Sequence, residues 1–300
     1  MDRKKVLFIM NPKSGTMQAS KMLSDIIQLF SNAGWMTSVL MTAARGDATQ
    51  FAAQYAKDFD QIVVSGGDGT LNEAVDGIIA GGADIPVGYI PAGSTNDFAH
   101  SLGLPTTIIE AARRAVEGKP KELDLGSFNG RHFSYVASFG AFSSTSYSVP
   151  QNLKNILGHN AYILSGIKDL MNIKPIHAKV ISDPGTENEV VKEGEYLFGA
   201  VCNTTSVGGI VQLKKEFVDM NDGKMELLLI RMPNDILELG DIVGNMLIGE
   251  LDAKEIDFFS AKKFSIDIEA GTHWTLDGEY EEGAEHIEIE TIDSAIKIIC

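Results

Sequence analysis

One stretch limits the possible folds of this chain more than any other. A short apolar run at residues 62–64 is followed by three glycines around Asp68. Apolar side chains then recur at helical spacing, at Leu71, Ala74, Val75, Ile78 and Ile79. The pattern predicts a buried strand, a glycine loop and the start of a helix. Unpaired backbone N–H groups at such a junction favour an anion, and glycines let the backbone approach a phosphate.

Asp68 is a carboxylate in a place that otherwise suits anions. We therefore expect it to meet a metal ion or a hydrogen-bond donor. Taken alone, a glycine-rich turn is more often a tight turn with a capping aspartate. The functional interpretation therefore needs support from the rest of the chain.

Length and composition indicate a globular protein of two domains. The chain has 300 residues, of which 44% are hydrophobic and 22% are charged. No apolar run approaches the ~18–20 residues of a membrane span, and the run at 6–10 is too short for a signal-peptide core. Cys202 and Cys300 suggest reduced thiols in a cytosolic chain. The net charge of −16 argues against nucleic-acid binding, and any membrane contact must use a local patch.

The first ~125 residues alternate strands and helices, as expected of repeated βα units. Strands are predicted at 6–10, 39–41, 62–64 and 86–90, and a polar turn follows each of them. Repeated βα units imply a parallel sheet with helices on both faces. Ligands bind such sheets beyond the carboxyl ends of the strands. We therefore expect the four polar turns to share one edge of the sheet.

The pattern changes from Leu123 onward. Phe128-Asn129-Gly130-Arg131 predicts a hairpin, and alternating apolar residues predict strands of a half-buried antiparallel sheet. Helices are predicted at 149–171 and 233–248. The fold class is therefore α/β plus β, with domains at 1–125 and 126–300. The last apolar run, at 295–299, could complete either domain.

Three motifs stand in the same order as in a known family: Asn11-Pro12-Lys13-Ser14-Gly15, Gly66-Gly67-Asp68-Gly69-Thr70-Leu71-Asn72 and Gly93-Ser94-Thr95-Asn96-Asp97-Phe98-Ala99. They resemble the motifs of bacterial diacylglycerol kinase and related soluble lipid kinases. The resemblance covers essentially the whole chain. It implies an N-terminal parallel-sheet nucleotide-binding domain followed by a mostly antiparallel β-sandwich domain for the lipid substrate.

The same resemblance implies the reaction. The expected activity is ATP- and Mg²⁺-dependent transfer of the γ-phosphoryl group to the hydroxyl of a lipid alcohol. Diacylglycerol, giving phosphatidic acid, is the favoured substrate, while sphingoid and other lipid alcohols stay open. The resemblance places nucleotide contacts at Asn11, Pro12, Lys13, Ser14, Gly15, Thr42, Gly66, Gly67, Asp68, Gly69, Thr70, Leu71, Asn72 and Ser94.

Later residues resemble the catalytic and metal-binding parts of the family. Leu276-Asp277-Gly278-Glu279 is similar to the catalytic turn, with Glu279 as the general base, although the pattern alone cannot separate Glu279 from Asp277. Asp68 would hold Mg²⁺ directly or through water. The stretch 219–224 resembles a structural magnesium loop. It implies ligands from the Asp222 carboxylate and the main-chain carbonyls of Asp219 and Lys224, with Asp97 and Asp124 in the surrounding network.

Other interpretations remain open at this point. NAD kinases share the glycine motif, but their later Asn-Glu pair corresponds here only to Asn188-Glu189 in an acidic loop. A lipid- or nucleotide-binding protein without catalysis is the alternative from another class. The resemblance also implies a cytoplasmic protein that contacts a membrane transiently, and it allows a homodimer.

Overall fold

The computed structural model describes residues 3–94, 96–141, 173–207, 211–214, 216–247, 250–251 and 253–300. The helix predicted at 149–171 and Thr95 of the third motif lie outside the described residues. The chain divides into two compact units. One contains Met1–Leu125 and Asp293–Cys300, and the other contains Gly126–Ile292. Among the described helices, none is both long and apolar enough to span a membrane.

The first unit contains most of the helices and the parallel strands. Its helices are α1 (Gln18–Lys21), α2 (Leu23–Asn32), α3 (Asp47–Tyr55), α4 (Asp68–Gly81), α5 (Asp97–Ser101) and α6 (Ile108–Glu117). A 3₁₀ turn spans Ala56–Asp58. Its strands are β1 (Lys4–Met10), β2 (Trp35–Met41), β3 (Gln61–Gly66) and β4 (Pro86–Pro91).

The remaining elements follow in chain order. The strands are β5 (Pro120–Phe128), β6 (Arg131–Phe133), β7 (Val136–Gly140), β8 (Ile176–Ser182), β9 (Val190–Cys202), β10 (Ser206–Val207), β11 (Val211–Gln212), β12 (Met225–Arg231), β13 (Ile256–Ala261), β14 (Lys263–Ile268), β15 (His273–Leu276), β16 (Glu279–Glu282) and β17 (His286–Ile299). A further helix, α7, spans Ile236–Leu247.

The sheet of the first unit is parallel, as predicted. Its order is β4-β3-β1-β2, and the last residues of β17 pair in parallel with β4 at its outer edge. All six residues of β3 are buried, which is typical of a strand covered on both faces. Helices α2 and α6 pack together, as do α3 and α4. Phe8 of β1 and Phe30 of α2 meet edge to face with ring centroids 5.6 Å apart.

The second unit is built from antiparallel strands, which confirms the predicted class change. One path of pairing runs β16-β15-β7-β9-β8-β14-β17, and β12 pairs with both β9 and β13. The predicted hairpin joins β5 and β6, with left-handed backbone at Asn129 (φ 47°) and Gly130 (φ 89°). The core surrounds Trp274, whose ring lies 4.8 Å from that of Phe139 and 5.0 Å from that of Phe128.

Candidate active site

The polar turns after β1, β3 and β4 meet in the first unit, as the βα pattern predicts. Asn11 donates its backbone N–H to Ser65 O (2.8 Å) and its side-chain amide to Thr70 Oγ1 (3.3 Å). The backbone N–H of Ala92 donates to Gly66 O at 2.7 Å, and that of Thr42 donates to Met10 O at 2.9 Å. These bonds bring the first two motifs, Thr42 and the start of the third motif to the same edge of the sheet.

Two glycines are required here because backbones approach each other closely. Gly15 has left-handed backbone (φ 51°), and a Cβ on it would lie 2.3 Å from Ala92 O. A Cβ on Gly93 would lie 2.6 Å from the Cα of Gly67. Any side chain at either position would push the loops apart. The glycines therefore serve the packing of loop against loop, which the phosphate interpretation of the sequence did not consider.

The other predicted nucleotide residues differ in exposure. Lys13, Gly15 and Ser94 are exposed, and Asn11, Pro12, Ser14, Thr42, Gly67, Asp68, Gly69 and Thr70 are half-buried. Gly66, Leu71 and Asn72 are buried. Leu71 belongs to the core of the unit, with 1% of its surface exposed, so its side chain packs inward. The first motif is held by the Asn11 carboxamide, whose Oδ1 accepts the backbone N–H of Lys13 at 3.0 Å.

Asp68 is the first residue of α4, and its carboxylate accepts hydrogen bonds from side-chain and backbone donors. Tyr89 Oη lies 3.3 Å from Oδ1, and the backbone N–H of Asp97 donates to Oδ2 at 3.1 Å. Burial, followed by the charge of Asp97, raises the pKa of Asp68 to about 6. A cation beside the two carboxylates would relieve their repulsion. Tyr89 was not predicted from the sequence, because nothing in an apolar strand marks one tyrosine as a partner of an aspartate.

Asp97 and Asp124 are both buried in the first unit, with 9% and 1% of their surfaces exposed. Asp124 accepts the backbone N–H of Ser294 at 2.8 Å, which ties β5 to the returning part of β17. Their role in a metal network remains a prediction.

The two carboxylates of the late turn have different surroundings in the second unit. Asp277, at a left-handed position (φ 51°), is 5% exposed. It accepts the backbone N–H groups of Ser134 (2.5 Å), Tyr135 (3.0 Å) and Val136 (3.0 Å). This carboxylate is thus a buried anchor that joins the β15–β16 turn to the chain before β7.

Glu279 is the first residue of β16, and 29% of its side chain is exposed. Its Oε2 accepts a hydrogen bond from Arg131 Nη2 at 3.0 Å, and the other arm of the same guanidinium, Nη1, contacts Glu281. Arg131 was not predicted from the sequence, where it was only the last residue of a hairpin signal. The contact spans 148 positions of the chain, so local spacing could not have found it.

The predicted metal loop is a turn in the second unit with Asp219, Asp222 and Lys224 exposed. Asp219 Oδ1 accepts the backbone N–H of Asn221 (3.2 Å), and Asp222 Oδ1 accepts that of Lys224 (3.0 Å). In the described parts of the chain, no three His, Cys, Asp or Glu side chains are grouped as metal ligands. A site that uses main-chain carbonyls would not form such a group.

A buried carboxylate lies next to this loop in sequence. Glu226 of β12 is 1% exposed, and Ser260 Oγ donates to its Oε1 at 3.3 Å. Its Oε2 has no hydrogen-bond partner among the residues that the structure describes. Burial, then the charges of Asp222 and Asp219, raise its pKa to about 8. The sequence signal for Glu226 was available, since it is the one acidic residue of the apolar strand run 225–230.

Comparisons with known proteins agree with the three motifs. Residues 5–128 match the family model of the diacylglycerol kinase catalytic domain. The chain is 34% identical over 280 residues to the diacylglycerol kinase of Bacillus subtilis, covering 92% of this chain and 90% of that protein. It is 32% identical over 280 residues to the diacylglycerol kinase of Staphylococcus saprophyticus, covering 93% and 90%.

Solved structures agree with the fold as well. A crystal structure of a diacylglycerol kinase from Bacillus anthracis matches with a TM-score of 0.77 at 25% identity, covering 100% of this chain and 97% of that one. A second structure from the same organism matches with a TM-score of 0.80 at 29% identity, covering 100% and 98%. Because relatives above 30% identity cover nearly the whole length of both chains, this chain belongs to the diacylglycerol kinase family and is a lipid kinase.

Proposed function

We propose that this lipid kinase transfers the γ-phosphoryl group of ATP to the hydroxyl of diacylglycerol, giving phosphatidic acid. The observation that carries the proposal is the meeting of the loops after β1, β3 and β4 around Asp68. Phosphoryl transfer depends mainly on positioning and on charge neutralisation, which loops of this kind provide. The relatives named above, which are diacylglycerol kinases, support the choice of lipid.

The nucleotide is proposed to bind at the three motifs of the first unit. Backbone N–H groups at the start of α4 and in the glycine loop would receive phosphate oxygens, because a helix N-terminus favours anions. Hydroxyl and amide side chains would complete the set, at Asn11, Ser14, Thr42, Thr70 and Ser94. The exposed Lys13 would add a positive charge.

Magnesium is proposed at two places. Asp68 would hold one ion directly or through water, beside the Asp97 carboxylate. The 219–224 loop would hold a structural ion through the Asp222 carboxylate and the carbonyls of Asp219 and Lys224. The unpartnered Oε2 of the buried Glu226 fits a cation near this loop. When bound, Mg²⁺ neutralises phosphate charge.

Glu279 is proposed as the general base. Its carboxylate would take the proton of the lipid hydroxyl as the hydroxyl oxygen attacks the γ-phosphorus and ADP leaves. The neighbouring Asp277 is less suited to this role, because three backbone N–H groups already occupy its oxygens. Such general-base assistance contributes about 10²–10⁴-fold to the rate.

The test uses radiolabelled ATP and mixed micelles that contain diacylglycerol, a sphingoid base or another lipid alcohol. Wild-type protein is expected to label diacylglycerol in preference to the others. Glu279→Gln is expected to lower kcat by about 10²–10⁴-fold, whereas Glu282→Gln, a change at an exposed glutamate of the same strand, should have little effect. Full turnover in Glu279→Gln would show that Glu279 is not the general base. Labelling of a different lipid alcohol, with none of diacylglycerol, would show that diacylglycerol is not the substrate.

The cellular setting is also a proposal. We infer a cytoplasmic protein that meets its lipid by transient peripheral contact with a membrane and that does not bind nucleic acid, in keeping with the net charge of −16. A homodimer fits the resemblance. Sedimentation of the protein with and without diacylglycerol-containing vesicles tests both the membrane contact and the oligomeric state.

A further inference from the structure

The guanidinium of Arg131 lies between two carboxylates of one strand in the second unit. Nη2 donates to Glu279 Oε2 at 3.0 Å, and Nη1 contacts Oε2 of Glu281. Glu279 and Glu281 are two residues apart on β16, so their side chains leave the same face of the strand. The three side chains are each about 30% exposed, which makes these pairs less screened than surface ion pairs.

Both ends of the Arg131–Glu279 contact are held by other bonds. Arg131 follows the left-handed turn at 129–130, and Asn129 exchanges two hydrogen bonds with Glu288, at 2.9 and 2.8 Å. Glu279 follows the turn that Asp277 anchors with three backbone N–H bonds. The guanidinium therefore leaves a fixed backbone position and reaches a carboxylate that also leaves a fixed position.

We propose that Arg131 is a positioning residue that holds the Glu279 carboxylate in the orientation in which it accepts the substrate proton. This inference rests on the proposed role of Glu279. The arginine engages Oε2 of Glu279, and Glu281 holds the other arm, so that the planar fork cannot rotate. Without the arginine, the two carboxylates of Glu279 and Glu281 would lie on the same face of one strand with no cation between them from Arg131.

A purely structural role for Arg131 is the competing explanation, since its contacts also join two hairpins. The two explanations differ in what they predict for catalysis. A structural role changes stability and leaves kcat per folded molecule unchanged. If Arg131 positions Glu279, replacing the arginine lowers kcat and leaves the KM for ATP nearly unchanged. This effect on kcat should disappear in protein in which Glu279 has already been replaced.

The experiment measures kcat, the KM values for ATP and diacylglycerol, and Tm in four variants: Arg131→Met, Arg131→Lys, Glu279→Gln and the double variant Arg131→Met/Glu279→Gln. We expect Arg131→Met to lower kcat about 10–100-fold, with the KM for ATP within about twofold. Arg131→Lys should recover part of the loss, because lysine keeps the charge but not the fork. In the Glu279→Gln background, Arg131→Met should cause no further loss.

Controls separate the possible failures. Arg113→Met removes an exposed arginine that pairs only with Glu117 of its own helix among the described contacts, and it should leave kcat unchanged. The inference would be overturned if Arg131→Met kept the wild-type kcat. It would also be overturned if Arg131→Met lowered kcat as much in the Glu279→Gln protein as it does in the wild-type protein. Full activity in Glu279→Gln would instead overturn the proposed base itself. If Arg131→Met does not fold, Arg131→Lys and Glu281→Gln test the same prediction through smaller losses of kcat.

Discussion

Glu226 illustrates how the burial of one side chain changes its chemistry. Its strand β12 lies between β9 and β13, and only 1% of the glutamate is exposed. Burial is the main cause that disfavours the ionised form, and the charges of Asp222 and Asp219 act in the same direction. The hydrogen bond that Ser260 Oγ donates to one carboxylate oxygen acts in the opposite direction and offsets only part of this effect. Its pKa is therefore raised to about 8, from an ordinary value of 4.5.

The raised pKa predicts how stability depends on pH in metal-free protein. The folded state holds this proton more tightly than the unfolded chain, so the stabilisation is full below pH 4.5 and is lost as the pH rises towards 8. Glu226→Gln should flatten that decline in the free energy of unfolding, by on the order of 2–4 kcal/mol. Urea denaturation in the presence of EDTA at several pH values measures the free energy of unfolding of both proteins.

The matched control is Glu187→Gln, at an exposed glutamate in a loop of the same unit. Its stability should follow the pH dependence of the wild-type protein. If the free energy of unfolding depended on pH in the same way in wild type and in Glu226→Gln, the Glu226 carboxyl would not titrate between pH 4.5 and 8 in the folded protein.

Helix α4 carries Asp68 at its first turn, and its position depends on close packing against α3. A Cβ on Gly77 would lie 2.3 Å from Thr49 O and 2.8 Å from Ala52 Cβ. Ala48 and Ala52 of α3 are themselves fully buried. Small residues on both helices thus let the backbones approach, and this approach sets where the α4 N-terminus lies in the first unit.

Gly77→Ala should therefore destabilise the protein, although alanine is the better helix former. Propensity alone predicts a gain of about 1 kcal/mol, but the new methyl group meets a backbone carbonyl that cannot move freely. We expect a net loss of about 1–3 kcal/mol in the free energy of unfolding. Urea denaturation monitored by circular dichroism measures this loss.

Gly240→Ala in α7 is the matched control. No described atom lies within 4 Å of a Cβ at that position, so the propensity gain should appear there without a clash. A stabilised Gly77→Ala protein would mean that α3 and α4 can separate at little cost.

The end of the chain returns to the first unit. Ile298 is fully buried and lies opposite Val87 in the parallel pairing of β17 with β4. Lys119 and Cys300 exchange two backbone hydrogen bonds, of 3.1 and 2.9 Å. The first unit therefore includes eight residues that follow the whole second unit in sequence.

Ile298→Ala should weaken the first unit, because the methyl groups it removes lie in the core beside β4. We expect a loss of about 2–5 kcal/mol in the free energy of unfolding and faster amide hydrogen exchange in peptides that cover β4. Leu237→Ala, at a leucine that is 76% exposed, is the control and should change little. Unchanged exchange in β4 would show that the terminal strand contributes little to that sheet.

Much of this organisation was predictable from local pattern. The change from βα units to antiparallel strands, the hairpin at 128–131 and the glycine loop between β3 and α4 all follow from periodicity and turn residues, which act over a few positions. The three motifs also identified the family. Even so, the pattern could not tell Asp277 from Glu279, because both stand in the same four-residue turn.

Tertiary structure decided the partners of those residues. Asp277 meets the chain at 134–136, Glu279 meets Arg131, and Tyr89 reaches Asp68 from a neighbouring strand. Local spacing determines which face of a strand or helix a side chain occupies, and so it determines burial and loop position. Local spacing does not determine which distant side chain contacts a given residue, because that depends on how strands far apart in sequence pair in the folded chain.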